Sequence, residues 1–127
     1  MIRFSMAALY PSAHGMPGLL EVGGDERLRF IWSELNGLTR LGLVGGAAVF
    51  VLSPVFTIGM PLPAFWLSAE RLDQHAHAAT KSRIYLLRMA VFVVKMFGGL
   101  VWGQSPQARA SMGLEAYPDD PGAWRSA

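Results

Sequence analysis

The side chains best suited to chemistry are three histidines, scattered serines and nine carboxylates, and their spacing builds no reactive group. His75 and His77 form a His-Ala-His pair. Two positions apart on a helix, their rings point about 200° away from each other, so they cannot share a metal. Asp73 and Glu70 do not complete a ligand set, and a solvated helix face is the expectation for this stretch. His14 lies in a Gly/Pro loop without an evident partner. No serine sits in a G-x-S-x-G turn, and the acids cluster at helix starts or in the tail, where capping explains them better than acid–base work. Gly23-Gly24 and Gly42-x-x-Gly45-Gly46 lack both the G-x-G-x-x-G spacing and a preceding strand. The absence of cysteine removes thiolate nucleophiles, disulfides and cysteine-ligated metals together. The expectation is therefore no catalytic, cofactor-binding or metal-ligating residue in this chain.

The elements that would carry such residues are unusually apolar. Of 127 residues, 52% are hydrophobic and 16% charged, with a mean hydropathy of +0.31. That excludes a disordered chain and suits one domain with a modest core. Eleven bases against nine acids leave a net charge of +2, without the clustered basic face of a nucleic-acid binder. The opening Met1–Pro11 stretch has neither an apolar signal core nor twin arginines, so a cytoplasmic location is expected, with export only in the company of a partner.

Periodicity predicts an all-α fold, a single helical domain of four or five helices with one long apolar helix in its C-terminal half. Residues 1–24 read as a Gly/Pro-rich segment in which only Phe4 to Tyr10 could form a short helix. Residues 25–116 read as the helical domain and 117–127 as a turn-rich tail. Asp25 is the expected N-cap of an amphipathic helix carrying Leu28, Ile31, Trp32 and Leu35, with Asn36-Gly37 as its C-cap. Leu41 to Leu52 is apolar on every side, which requires burial all round, and Pro54, Gly59, Pro61 and Pro63 then interrupt it. Ser68 caps a second run that no proline interrupts before Pro106. Lys81, Arg88 and Lys95 recur along it every seven residues as a basic stripe, with Trp102 on the same phase. Gly98-Gly99 is expected to bend its end. Ser105-Pro106 and Gly113 bracket a last short helix.

From Phe65 onward the order of elements carries a resemblance. Phe65-Trp-Leu-Ser68-Ala-Glu-Arg71, Ser82-Arg83, the apolar helix Ile84 to Leu100 with Lys95, Val101-Trp-Gly-Gln-Ser-Pro106 and Met112-Gly113-Leu114 follow one another, and the likeness runs to Trp124. This series resembles the small helical domain beside glucose-methanol-choline (GMC) type flavin dehydrogenases. That domain is similar to the small subunit of gluconate dehydrogenase-like enzymes and also occurs fused to long-chain alcohol oxidases. The chain departs from the pattern at Gln104-Ser105, which replaces an acidic approach to Pro106, and at Leu114, which replaces a tyrosine.

The resemblance implies a non-catalytic accessory subunit that binds and stabilises a large flavoprotein dehydrogenase of alcohols, sugars or sterols. FAD would be held by that partner and no cofactor by this chain. The contact residues it suggests are Phe65, Trp66, Tyr85, Arg88, Phe92, Lys95, Met96 and Trp102. The alternative is a small membrane-associated protein that uses Leu41–Leu67 and Ile84–Val101 as a helical hairpin. Arg88 and Lys95 oppose that alternative, because a charge at mid-bilayer costs about 2.5–3.5 kcal/mol on the insertion scale.

Overall fold

Capping side chains and prolines cut this chain into its elements. The structure, a computed structural model, describes residues 1–118; Asp119 to Ala127, with Trp124 and most of the expected tail, lie outside the described residues. Within 1–118 the fold is all-α, with no strand beyond an isolated bridge between Ala13 and Met16. The helices are α1 Ile2–Leu9, α2 Gly24–Glu34, α3 Gly37–Leu52, α4 Pro54–Thr57, α5 Ala69–Thr80, α6 Tyr85–Gly103 and α7 Pro106–Ser111, plus a 3-10 turn at Ala64–Trp66. Five of the seven have eight residues or more, and α6 is the long apolar helix of the C-terminal half.

Several boundaries differ from the sequence expectation, each for a local reason. Asp25 is not the N-cap of α2 but lies in its first turn, where its carboxylate takes a 2.6 Å bond from Arg3 Nε. The cap is Gly23 in the left-handed region. Asn36 does not close α2 but opens α3: its side chain accepts from the Thr39 amide at 2.8 Å, while extended Leu35 has already ended α2. Arg40 then reaches back to the Trp32 and Ser33 carbonyls, satisfying acceptors that the end of α2 leaves open.

The long C-terminal run is two helices. Thr80 Oγ1 bonds to the carbonyls of Ala76 and His77, and Ser82 Oγ takes the Ile84 amide, so hydroxyls offer the backbone an alternative to a further helical turn. Lys81 thereby falls in the turn, and the basic stripe shortens to Arg88 and Lys95 on α6. Gly98-Gly99 does not end or break α6. A Cβ on Gly98 would stand 2.9 Å from the Tyr10 ring and one on Gly99 2.8 Å from the Tyr10 hydroxyl, so the pair is the seat for the aromatic that caps the end of α1.

The core is built on α3 and α6. Leu43 and Ala47 share a cluster with Val94, Phe97 and Val101, while Phe50 and Val51, further along α3, meet Leu87 and Val91, earlier on α6; the two helices therefore run antiparallel. They touch backbone to backbone, and a Cβ on Gly46 would stand 2.6 Å from the Ala90 carbonyl oxygen. α1 closes one side with fully buried Met6, α5 contributes Ala76 and Ala79, and α2 applies Leu28, Ile31, Trp32 and Leu35 as the expected amphipathic stripe.

A pair of glycine substitutions separates this contact from simple helix propensity. Gly46→Ala is expected to destabilise the fold by about 1–3 kcal/mol, the range for overpacking a close contact. Gly45→Ala, where nothing lies within 4 Å, is expected to stabilise by about 0.5–1 kcal/mol. Thermal or denaturant unfolding of both variants, read by circular dichroism, checks the opposite signs.

Candidate partner interface

The outward side of α6 holds most of the side chains that the sequence nominates for contact. Successive helical residues turn by about 100°, which places Lys95, Arg88, Phe92, Tyr85 and Met96, in that order, within an arc of about 100°. The arc faces away from the buried Leu87, Val91, Val94 and Val101. Tyr85, Phe92 and Met96 are all exposed, and the Arg88 guanidinium lies 5.7 Å above the Tyr85 ring while donating to the Ser82 carbonyl. Lys95 leans towards α5 and lines a shallow cleft of about 120 Å³ with Asp73 and Thr80.

The other nominated residues are placed elsewhere. Phe65 and Trp66 lie on the 3-10 turn, where Phe65 packs on Phe4 of α1 with ring centroids 4.6 Å apart and Trp66 is 72% exposed. Trp102 serves the interior. It is half-buried, stacks on Tyr10 at 6.2 Å and donates its indole N–H to the Pro17 carbonyl at 2.8 Å, tying the N-terminal loop to α6. Tyr10 donates its hydroxyl to the Lys95 carbonyl at 2.9 Å, and burial raises the phenol pKa, which keeps that donor protonated.

Periodicity could not see a second apolar surface. Leu41 to Leu52 is expected to be buried all round, yet Leu41, Val49 and Leu52 are exposed, and Leu38 before them and Val55 and Phe56 of α4 after them extend the row. The exposed row faces no described element because α1, α2, α5 and α6 cover only the other sides of α3. A segment without polar residues gives no phase from which to tell a covered side from an open one.

Nor is the His75/His77 stretch uniformly solvated. His77 is exposed, with Nδ1 3.8 Å from the Asp73 carboxylate, but His75 is fully buried. The cause lies in α3. The Phe50 carbonyl would normally accept from the amide four residues on, and that residue is Pro54, which has no N–H. His75 Nε2–H supplies the missing donor at 2.8 Å, assisted by Ser53 Oγ, and the Thr57 hydroxyl donates to His75 Nδ1 at 2.6 Å. Both ring nitrogens are thus occupied in fixing the α3–α4 corner, and the imidazole packs on the Phe50 ring with centroids 4.6 Å apart. Among the described residues no three His, Asp or Glu side chains converge in a way that could hold a metal ion.

Burial lowers the His75 pKa below its ordinary 6.5, opposed in part by the bond to Phe50. The unfolded chain therefore binds a proton at this residue more readily than the folded one. The contribution is complete above about pH 6.5 and is lost as acidification proceeds below that value towards the lowered folded pKa. Melting temperature is expected to fall between pH 7 and pH 5. His75→Phe should remove this component while costing about 1–3 kcal/mol at pH 8, because the Phe50 carbonyl loses its buried donor. Thermal melts of both proteins across that pH range test the assignment.

The chain matches no protein-family model, and no curated protein or solved structure matches it either.

Proposed function

We propose that this chain is a non-catalytic small subunit that docks its outward α6 face on a larger protein. The observation that carries this reading is that α6, a 19-residue helix of apolar composition, is only one-third buried over its most hydrophobic 18-residue window. A contiguous apolar surface of that kind, interrupted by Arg88 and Lys95, is the pattern of an interaction face. Phe92 and Met96 supply its apolar centre, Tyr85 its aromatic anchor, and Arg88 a planar cation already stacked for pairing with a carboxylate. The sequence resemblance names the partner: a GMC-type dehydrogenase that oxidises an alcohol, sugar or sterol with its own FAD. In this reading the small chain stabilises the large one by binding its folded form, in the cytoplasm or carried out with it.

A second reading follows from the same helix. α6 is long and apolar enough to cross a membrane, and with α3 it makes the antiparallel pair that a membrane-embedded hairpin would use.

Native pull-down of the tagged chain without detergent distinguishes the two. The subunit reading expects a stoichiometric larger protein with visible flavin absorption, and Phe92→Glu with Met96→Glu should reduce its recovery by about tenfold or more. Retention of the chain in the carbonate-washed membrane pellet, with no flavoprotein released, favours the hairpin and overturns the subunit reading.

A further inference from the structure

Where the end of α3 and α4 meet the start of α6, the surface is indented by a groove of about 520 Å³. That volume lies within the roughly 300–1,000 Å³ usual for small-molecule sites. Val49, Leu52, Phe56, Ile84, Leu86 and Leu87 form its wall. Its one polar side chain, Ser53, already donates to the Phe50 carbonyl. An extended peptide laid here would bring amide and carbonyl groups that the wall cannot bond, at a cost of desolvation. A hydrocarbon chain brings none.

The charge at one end of the groove selects what such a chain must carry. Lys81 and Arg83 precede Ile84, a residue of the wall, and both are exposed. Neither Lys81 nor Arg83 has an ion-pair partner among the described residues. The start of α6 has no side-chain cap and no acid in its first turn, so its open amides add partial positive charge. From Gln74 to Leu114 the chain contains no carboxylate at all, and the described acids lie outside that stretch and outside α3 and α4. An apolar trough that ends in unneutralised cations fits a molecule with a hydrocarbon tail and an anionic head.

We propose that this groove binds a single-chain anionic amphiphile, a long-chain fatty carboxylate, with the tail along Val49, Leu52, Phe56 and Leu86 and the head at Lys81, Arg83 and the start of α6. The site stands on different residues from the docking face and does not require a flavoprotein partner.

Calorimetric titration of the full chain with dodecanoate, below its micellar concentration at pH 8, tests the site. Dodecyltrimethylammonium serves as the tail-matched cation. Saturable binding of one dodecanoate per chain is expected, with the cation at least about tenfold weaker, as charge complementarity requires. Val49→Trp, which fills the trough without changing charge, and Lys81→Glu with Arg83→Glu, which reverses the head contact, should each weaken binding by about tenfold or more. Circular dichroism melts matched to the parent protein show that these exposed substitutions leave the fold intact. Where the isolated chain is too insoluble to titrate, photolabelling of native extract with a diazirine fatty acid should mark peptides containing Leu52, Phe56 or Leu86. Equal affinity for both amphiphiles, insensitivity to the variants, or label distributed without preference overturns the proposal. So does binding that appears only with anionic vesicles and never with the monomeric carboxylate, which would make the groove part of a membrane-contact surface.

Discussion

The close approach of α3 and α6 is the constraint on which the rest of the molecule depends. Gly46 admits the Ala90 carbonyl to a distance that no side chain would allow, and this brings Leu43, Ala47, Phe50 and Val51 into one continuous seam with Leu87, Val91, Val94 and Val101. Everything else is laid around that seam. α1 crosses α6 on the glycine pair 98–99, α5 folds back so that Ala76 and Ala79 cover the seam's other end, and α2 lays its hydrophobic stripe on the cluster that α6 shares with α3. With only these covers, one side of α3 and one side of α6 stay open. The apolar composition of the chain and its exposed faces therefore have one origin: two helices that are apolar on nearly every side, in a chain with too few elements to enclose both.

Polar chemistry inside the protein serves this architecture. The buried histidine repairs a backbone defect that proline creates, and the half-buried Tyr10 and the indole of Trp102 pin N-terminal segments to α6. Each is a side-chain to main-chain bond that spans a long stretch of sequence, in a chain without cysteine whose described residues form no sheet. The charged groups are segregated in turn. Among the described helices carboxylates lie only on α2 and α5, whereas α3, α4 and α6 carry none, so the open faces present carbon and positive charge together.

Much of this was legible in the residues. The all-α class, the long apolar helix, the stripe on α2, Ser68 and Ser105 as caps and the left-handed Gly113 all follow from period and capping chemistry. Where the reading failed, two local rules competed. Asn-Gly ends helices as often as Asn begins them, and only Leu35's extended backbone decides between the two. The break after Thr80 rests on hydroxyl bonds that no proline or glycine announces. His75 was readable in principle, since Pro54 four residues after Phe50 declares a carbonyl without its amide; the donor's identity, 25 residues from that carbonyl, was not. Of the nominated contact residues, those on α6 shared an arc by helical geometry alone. The inward role of Trp102 depended on where the loop at Pro17 returns.

The placement of the two central helices also has a consequence for synthesis. α3 is complete at Leu52, but the helix that covers its seam is not complete until Gly103, about fifty residues later. At about 5–20 residues per second, α3 waits roughly three to ten seconds with its inner face uncovered, less the time for which the ribosome tunnel shelters it. α1 waits with it, because the residues that receive Tyr10 and Pro17 each lie 85 positions further along the chain. The nascent protein is therefore a client for whatever binds exposed apolar helices at the ribosome, and its native contacts close only as the last third of its described length emerges.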